Sequence, residues 1–166
     1  MKILVPVDSS AAALAPIAHL QAVARSGLEI EVLVLNVQPR FHRHIAQFSS
    51  RNARDLLREE RSRAAMARAI EALSLTGLRF RAFTDVGSPA ERIAAVAGRE
   101  RVDEIMMGVG RHPEWLRWVN PSIAQGVMAR TDIPVTVLAR GQVGALQRYA
   151  FPAGVAGLAA LLIAGE

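Results

Sequence analysis

The sequence predicts an α/β fold, a five-stranded parallel sheet with helices on both faces. Three observations predict it. Short apolar, β-branched runs recur at residues 2–7, 28–37, 78–84, 102–107 and 133–138. Between them, apolar residues return at three- and four-residue steps, as on helices that bury one face. Turn and cap residues punctuate the junctions, so strand and helix alternate four times before a last strand. Strands apolar on both sides need cover on both faces. Their alternation with helices requires right-handed crossovers and parallel neighbours.

Composition narrows the functional classes. The 166 residues are most simply one domain, and 51% hydrophobic with 21% charged residues supplies a core and argues against disorder. The absence of cysteine excludes disulfides, thiolate catalysis and cysteine-based metal sites, and suits a reducing, cytoplasmic location. His42 and His44 stand close in sequence, but no third ligand lies near them at a convincing spacing, so no metal is expected. Lys2 is the sole lysine, so 19 of the 20 basic residues are arginine. Most sit among Asp and Glu on predicted helices, which reads as solvated surface. A nucleic-acid module built on basic residues 40–54 and the later Arg/Trp loop lacks any recognised motif, and no nucleic-acid partner is expected.

The elements follow in order. Residues 2–7 read as a buried strand and not a secretory signal, since no basic and apolar pair of regions precedes a cleavage site and Asp8 interrupts the run. Ser9 or Ser10 can cap a helix running to about Ser26, with Gly27 as its stop. Pro16 is tolerable only in a first turn, which moves the true start towards Ala15. A second buried strand over 28–37 ends before Pro39. Ser49 or Ser50 caps a long helix over about 51–76, whose predicted apolar face is Leu56, Leu57, Ala64, Ala67, Ile70 and Leu73. The strand at 78–84 has a wetter face and reads as a sheet edge. Ser88, Pro89 and Glu91 fit a capping box with proline at N1 of a helix ending at Gly98.

Residues 102–140 organise the rest: strand, then Gly108-Val109-Gly110, a loop over 111–121, Ser122 opening a helix over 123–130, and the last strand. A glycine turn between strand and helix admits close backbone approach, and a helix start attracts anions. In such sheets ligands bind beyond the carboxyl ends of the strands, where strand order reverses. Val7-Asp8, Asn36-Val37 and Gly108-Val109-Gly110 are the strand ends that fit.

Residues 2–140 resemble a universal stress protein. The likeness rests on Ile3-Leu4-Val5-Pro6-Val7-Asp8-Ser9-Ser10, Leu35-Asn36-Val37 and Gly87-Ser88-Pro89-Ala90-Glu91-Arg92-Ile93. It rests also on Val102-Asp103-Glu104-Ile105-Met106-Met107-Gly108, Ser122-Ile123-Ala124-Gln125 and Thr131 through Leu138, all in the family's order. The resemblance implies a Rossmann-like sheet of the adenine nucleotide alpha hydrolase-like kind, a homodimer and, in one branch, an ATP or AMP site. It carries the adenosine contacts onto Asp8, through its carboxylate, and Val37, through its backbone. With Pro6, Val7, Met107, Gly108, Gly110, Arg111, Ser122 and Ile123 these make the candidate cofactor site. The ATP-binding branch carries a Gly-x-x-Gly-x9-Gly-Ser/Thr loop. Gly108 takes its first glycine and Ser122 its final hydroxyl, but Arg111 and Pro121 stand at the other two glycines. The expectation is altered, weakened nucleotide binding, with Arg111 and Arg117 replacing backbone amides.

The expected function is a dimeric regulatory module of the stress response that is not an enzyme, since no carboxylate pair for Mg²⁺ and no clear general base appears. The alternatives are a slow ATPase or phosphotransferase using Asp8, Ser122 and His112, and a partner-binding module with a membrane-touching tail. The dimer seam is expected at the last strand, residues 133–138. Trp115 and Trp118 in the 111–118 loop offer a protein-partner surface, weighed against plain packing over the sheet edge or in the dimer. Residues 141–166 form an apolar extension. Its stretch 149–165 carries no charge, yet its 17 residues fall short of the roughly 20 that span a membrane. Packing on its own domain or a partner subunit is preferred there over membrane contact or disorder.

Overall fold

The computed structural model describes residues 1–25, 27–40, 50–109, 123–139 and 148–149. Strand β1 (Lys2–Pro6) leads through a 3₁₀ turn (Ala11–Leu14) into helix α1 (Ala15–Ala24). Then come β2 (Glu31–Gln38), α2 (Arg51–Ser74), β3 (Arg79–Val86), α3 (Pro89–Glu100), β4 (Glu104–Val109), α4 (Ile123–Met128), β5 (Val135–Ala139) and the two-residue β6 (Arg148–Tyr149). The sheet order is β3-β2-β1-β4-β5-β6. The five strands β1 to β5 pair in parallel, as expected, and β6 adds an antiparallel end. That end comes from the segment read as a tail extension, and it pairs with β5 at Val135 and Thr136.

Two cores sandwich the sheet because successive strand side chains alternate between faces. One face holds Ile3, Val5, Val32 and Val34 under Ile17 and Leu20 of α1 and Met66 and Leu73 of α2. The other holds Leu4, Leu33, Leu35, Ile105 and Met107 under Ile93 and Val96 of α3 and Val127 of α4. β3 is the sheet edge, and its wet face carries Arg81, paired with Glu31 and Glu100. Lys2 ties β1 to the entry of β4. Its N–H donates to the Asp103 carboxylate, its carbonyl accepts from the Asp103 N–H at 2.8 Å, and its Nζ donates to the Glu100 carbonyl at 3.1 Å.

Four expectations need correction. The buried stripe of α2 is Ser62, Met66, Ala69 and Leu73, spaced by four, three and four residues, with Ile70 half-buried beside it. Leu56, Leu57, Ala64 and Ala67 are exposed. Twenty-four helical residues extend roughly 36 Å, longer than an eight-residue strand, so the first turns of α2 run past the sheet. Ser88 occupies the N-cap of α3 with Pro89 behind it, but its side chain makes no capping bond. That helix also runs through Gly98 to Glu100 and stops where Arg101 adopts the left-handed conformation, φ 51°. Finally, Ser10 sits at the start of the 3₁₀ turn without a side-chain cap, while Ser50 does cap α2 by accepting from the Ala53 N–H at 3.2 Å. Pro16 lies in the first turn of α1, which starts at Ala15 as its ring demands.

Candidate functional site

The chain lays β2 and β3 on one side of β1, and β4 and β5 on the other. The reversal of direction therefore falls between β1 and β4, and a crevice opens there beyond the carboxyl ends. The register pairs Leu4 with Leu33 of β2 and with Ile105 of β4. Counted on in that register, Val7 corresponds to Asn36 and Gly108, and Asp8 to Val37, just past the last β1 pair, Pro6 with Leu35. Pro6 is half-buried, Val7 and Met107 are buried, and Asp8 is exposed. Val37 is half-buried against the α3 face. Ile123 opens α4 with its side chain exposed. Gly110, Arg111 and Ser122 lie outside the described residues. So do Pro121, the 111–118 loop with His112, Trp115, Arg117 and Trp118, the pair His42 and His44, and the tail from 150 onward.

Asp8 is held by its own turn. Its Oδ1 accepts from the Ser10 N–H at 2.9 Å, which folds the chain into the 3₁₀ turn. Beside it a small cavity of about 40 Å³ opens towards α2, lined by Asp8, Ser9, Ser10, Leu14, Ala65 and Arg68 among others. On the β4 side, Gly108 is a strand residue paired with Leu138, not a turn residue as expected. The 3₁₀ turn presses against it: a Cβ at position 108 would lie 1.9 Å from the Ala12 carbonyl oxygen. Packing alone therefore demands glycine there.

Two features were missed in the sequence. Asn36 is buried and its Nδ2 donates to the Val7 carbonyl at 2.7 Å. The one signal for it was a polar residue inside an apolar strand. At the end of β3, beside Val37 in the register, Asp85 takes two donors from Arg92 of α3, Nε at 2.9 Å and Nη2 closer still, with Val86 N–H donating to its other oxygen. Burial alone would push the Asp85 carboxyl up, but Arg92 and the Val86 amide outweigh it and hold the group below its ordinary 3.8. Arg92 reaches it over Gly87, where a Cβ would meet the Arg92 side chain at 2.9 Å. Among the described residues, no cluster of three or more His, Asp or Glu could hold a metal.

Residues 1–139 match the profile of the Universal stress protein family. The chain belongs to the universal stress protein family. Solved structures agree with its fold. The hypothetical protein MJ0577 is 27% identical over 84% of this chain and 95% of its own, with a TM-score of 0.64. A universal stress protein from Archaeoglobus fulgidus is 19% identical over 86% of this chain and half of its own, at a TM-score of 0.67. An Arabidopsis thaliana member of the family, solved with AMP bound, is 18% identical over 85% of this chain and 92% of its own, at 0.61. A comparison with curated proteins finds no match. Among the described residues of this universal stress protein, no helix is long and apolar enough to cross a membrane.

Proposed function

We propose that this universal stress protein is a regulatory binding module that takes an adenine nucleotide beyond the carboxyl ends of β1, β2 and β4. The observation that carries the reading is the placement of Asp8. An exposed carboxylate, fixed by its own turn, stands at the strand reversal, two residues past the last pair of β1 with β2. A carboxylate there can accept hydrogen bonds from nucleoside hydroxyl or amino groups, and the backbone of Val37 offers the complementary donor and acceptor. Relatives solved with AMP and with cAMP support the ligand class. The altered glycine loop makes binding weaker than a full phosphate cradle would give, with Arg111 and Ser122 as the remaining phosphate contacts. No step of turnover is part of this reading.

We take the protein as a homodimer joined through residues 133–138; among the described residues, β6 pairs with Val135 and Thr136 of that segment. Calorimetric titration of the full chain with ATP, ADP and AMP tests the nucleotide site. Saturable binding that weakens at least tenfold in Asp8→Ala supports it, on the scale of a lost hydrogen bond to a charged group. No heat with any of the three nucleotides overturns it.

A further inference from the structure

Asn36 is 3% exposed, on the face of β2 that otherwise presents Val32 and Val34 to the α1 and α2 core. A buried amide there is costly unless both of its polar atoms are engaged. Both are. Nδ2 donates to the Val7 carbonyl at 2.7 Å, and Oδ1 accepts from Gln38 Nε2 at 2.6 Å. The Val7 N–H donates to the Leu35 carbonyl at 2.8 Å. Both backbone groups of the residue before Asp8 are thus fixed by β2, and Asp8 Oδ1 is closed onto Ser10 N–H from the other side. An apolar residue at 36 would serve the core better. The amide serves the Val7 carbonyl, which lies past the last ladder pair of β1, Pro6 with Leu35.

We infer that Asn36 is a positioning residue for Asp8. It fixes the Val7–Asp8 peptide and so the aim of the carboxylate, while Gln38 fixes which way the amide of Asn36 faces. Neither side chain needs to touch the nucleotide. The inference rests on the reading of Asp8 as a nucleotide-binding group and specifies what holds that group in place.

A double-mutant cycle separates positioning from general support of the fold. AMP binding is measured by calorimetry on the full chain for the wild type, Asp8→Ala, Asn36→Leu and the double variant, each with a wild-type circular dichroism spectrum. The expected result is about tenfold weaker binding in Asn36→Leu and no further loss when that change is added to Asp8→Ala. An equal loss in both backgrounds overturns the inference, because Asn36 would then act without Asp8. Wild-type affinity in Asn36→Leu overturns it as well. If Asn36→Leu does not fold, Gln38→Met replaces it in the same cycle, and its smaller loss must likewise vanish without the Asp8 carboxylate. Failure of the underlying reading looks different: the wild type binds none of ATP, ADP and AMP, or Asp8→Ala binds as the wild type does.

Discussion

The α-carbon of Gly108 faces the Ala12 backbone so closely that a Cβ would lie 1.9 Å from the carbonyl oxygen and 2.6 Å from its carbon. The first glycine of the phosphate-loop pattern thus has a duty in the fold itself. Backbone cannot yield as a flexible side chain can, so Gly108→Ala has to push the 3₁₀ turn off β4. The expected cost is about 2–4 kcal/mol in urea unfolding without nucleotide. A variant with the wild-type midpoint would mean that the turn sits further from β4.

The position of α2 over the sheet gives a contrast between two leucines. Leu73 is fully buried, whereas Leu56 is 68% exposed although both fit a helical apolar pattern. Leu73→Ala should lose about 2–4 kcal/mol, and Leu56→Ala should stay within about 0.5 kcal/mol. Equal losses in thermal or urea unfolding would place Leu56 in a contact such as a subunit interface.

Asp85 and Arg92 set an acid limit. The Asp85 carboxyl is held below its ordinary value in the folded chain. Its contribution is therefore complete above the unfolded value of about 3.9 and is lost as pH falls through the lower folded value. Asp85→Asn should leave the stability difference from wild type largest near neutral pH and shrinking below pH 4. Unfolding midpoints measured from pH 7 to pH 2.5 check this, and a difference that grows on acidification would contradict it.

The proposed homodimer through residues 133–138 predicts a mass and an exchange pattern. Light scattering after size exclusion at micromolar concentration should give twice the 17.9 kDa chain mass. Amide exchange at Val137 and Ala139, whose N–H groups face away from β4, should quicken on dilution as the seam opens. A single-chain mass at all concentrations would remove the dimer.

How much of this was legible beforehand varies by element. The strand ends at Val7-Asp8 and Asn36-Val37 could be read because an apolar run stopping at polar residues is a local signal. Ala15 as the start of α1 could be read because Pro16 permits little else. The true face of α2 could not. Leu56, Leu57 and Leu73 fit one local pattern, yet the first two are exposed and only Leu73 is buried. Gly98 read as a stop, but nothing local announced that Arg101 would adopt the left-handed turn.

By itself the sequence determined the alternation of strands and helices, the parallel sheet with cover on both faces, and the family, since these depend on periodicity and on short motifs in order. Only the tertiary structure decided that Gly108 meets Ala12, that Asn36 holds the Val7 carbonyl, and that Arg92 folds back over Gly87 onto Asp85. Gly108 and Ala12 lie far apart in the chain, as do Asn36 and Val7, and they meet because β1 sits between β2 and β4. Arg92 is only seven residues from Asp85, but its reach depends on how α3 packs back on the sheet. A residue's periodicity is written in its neighbours; the atom it will face is set by strand order and helix packing, which no short stretch of sequence encodes.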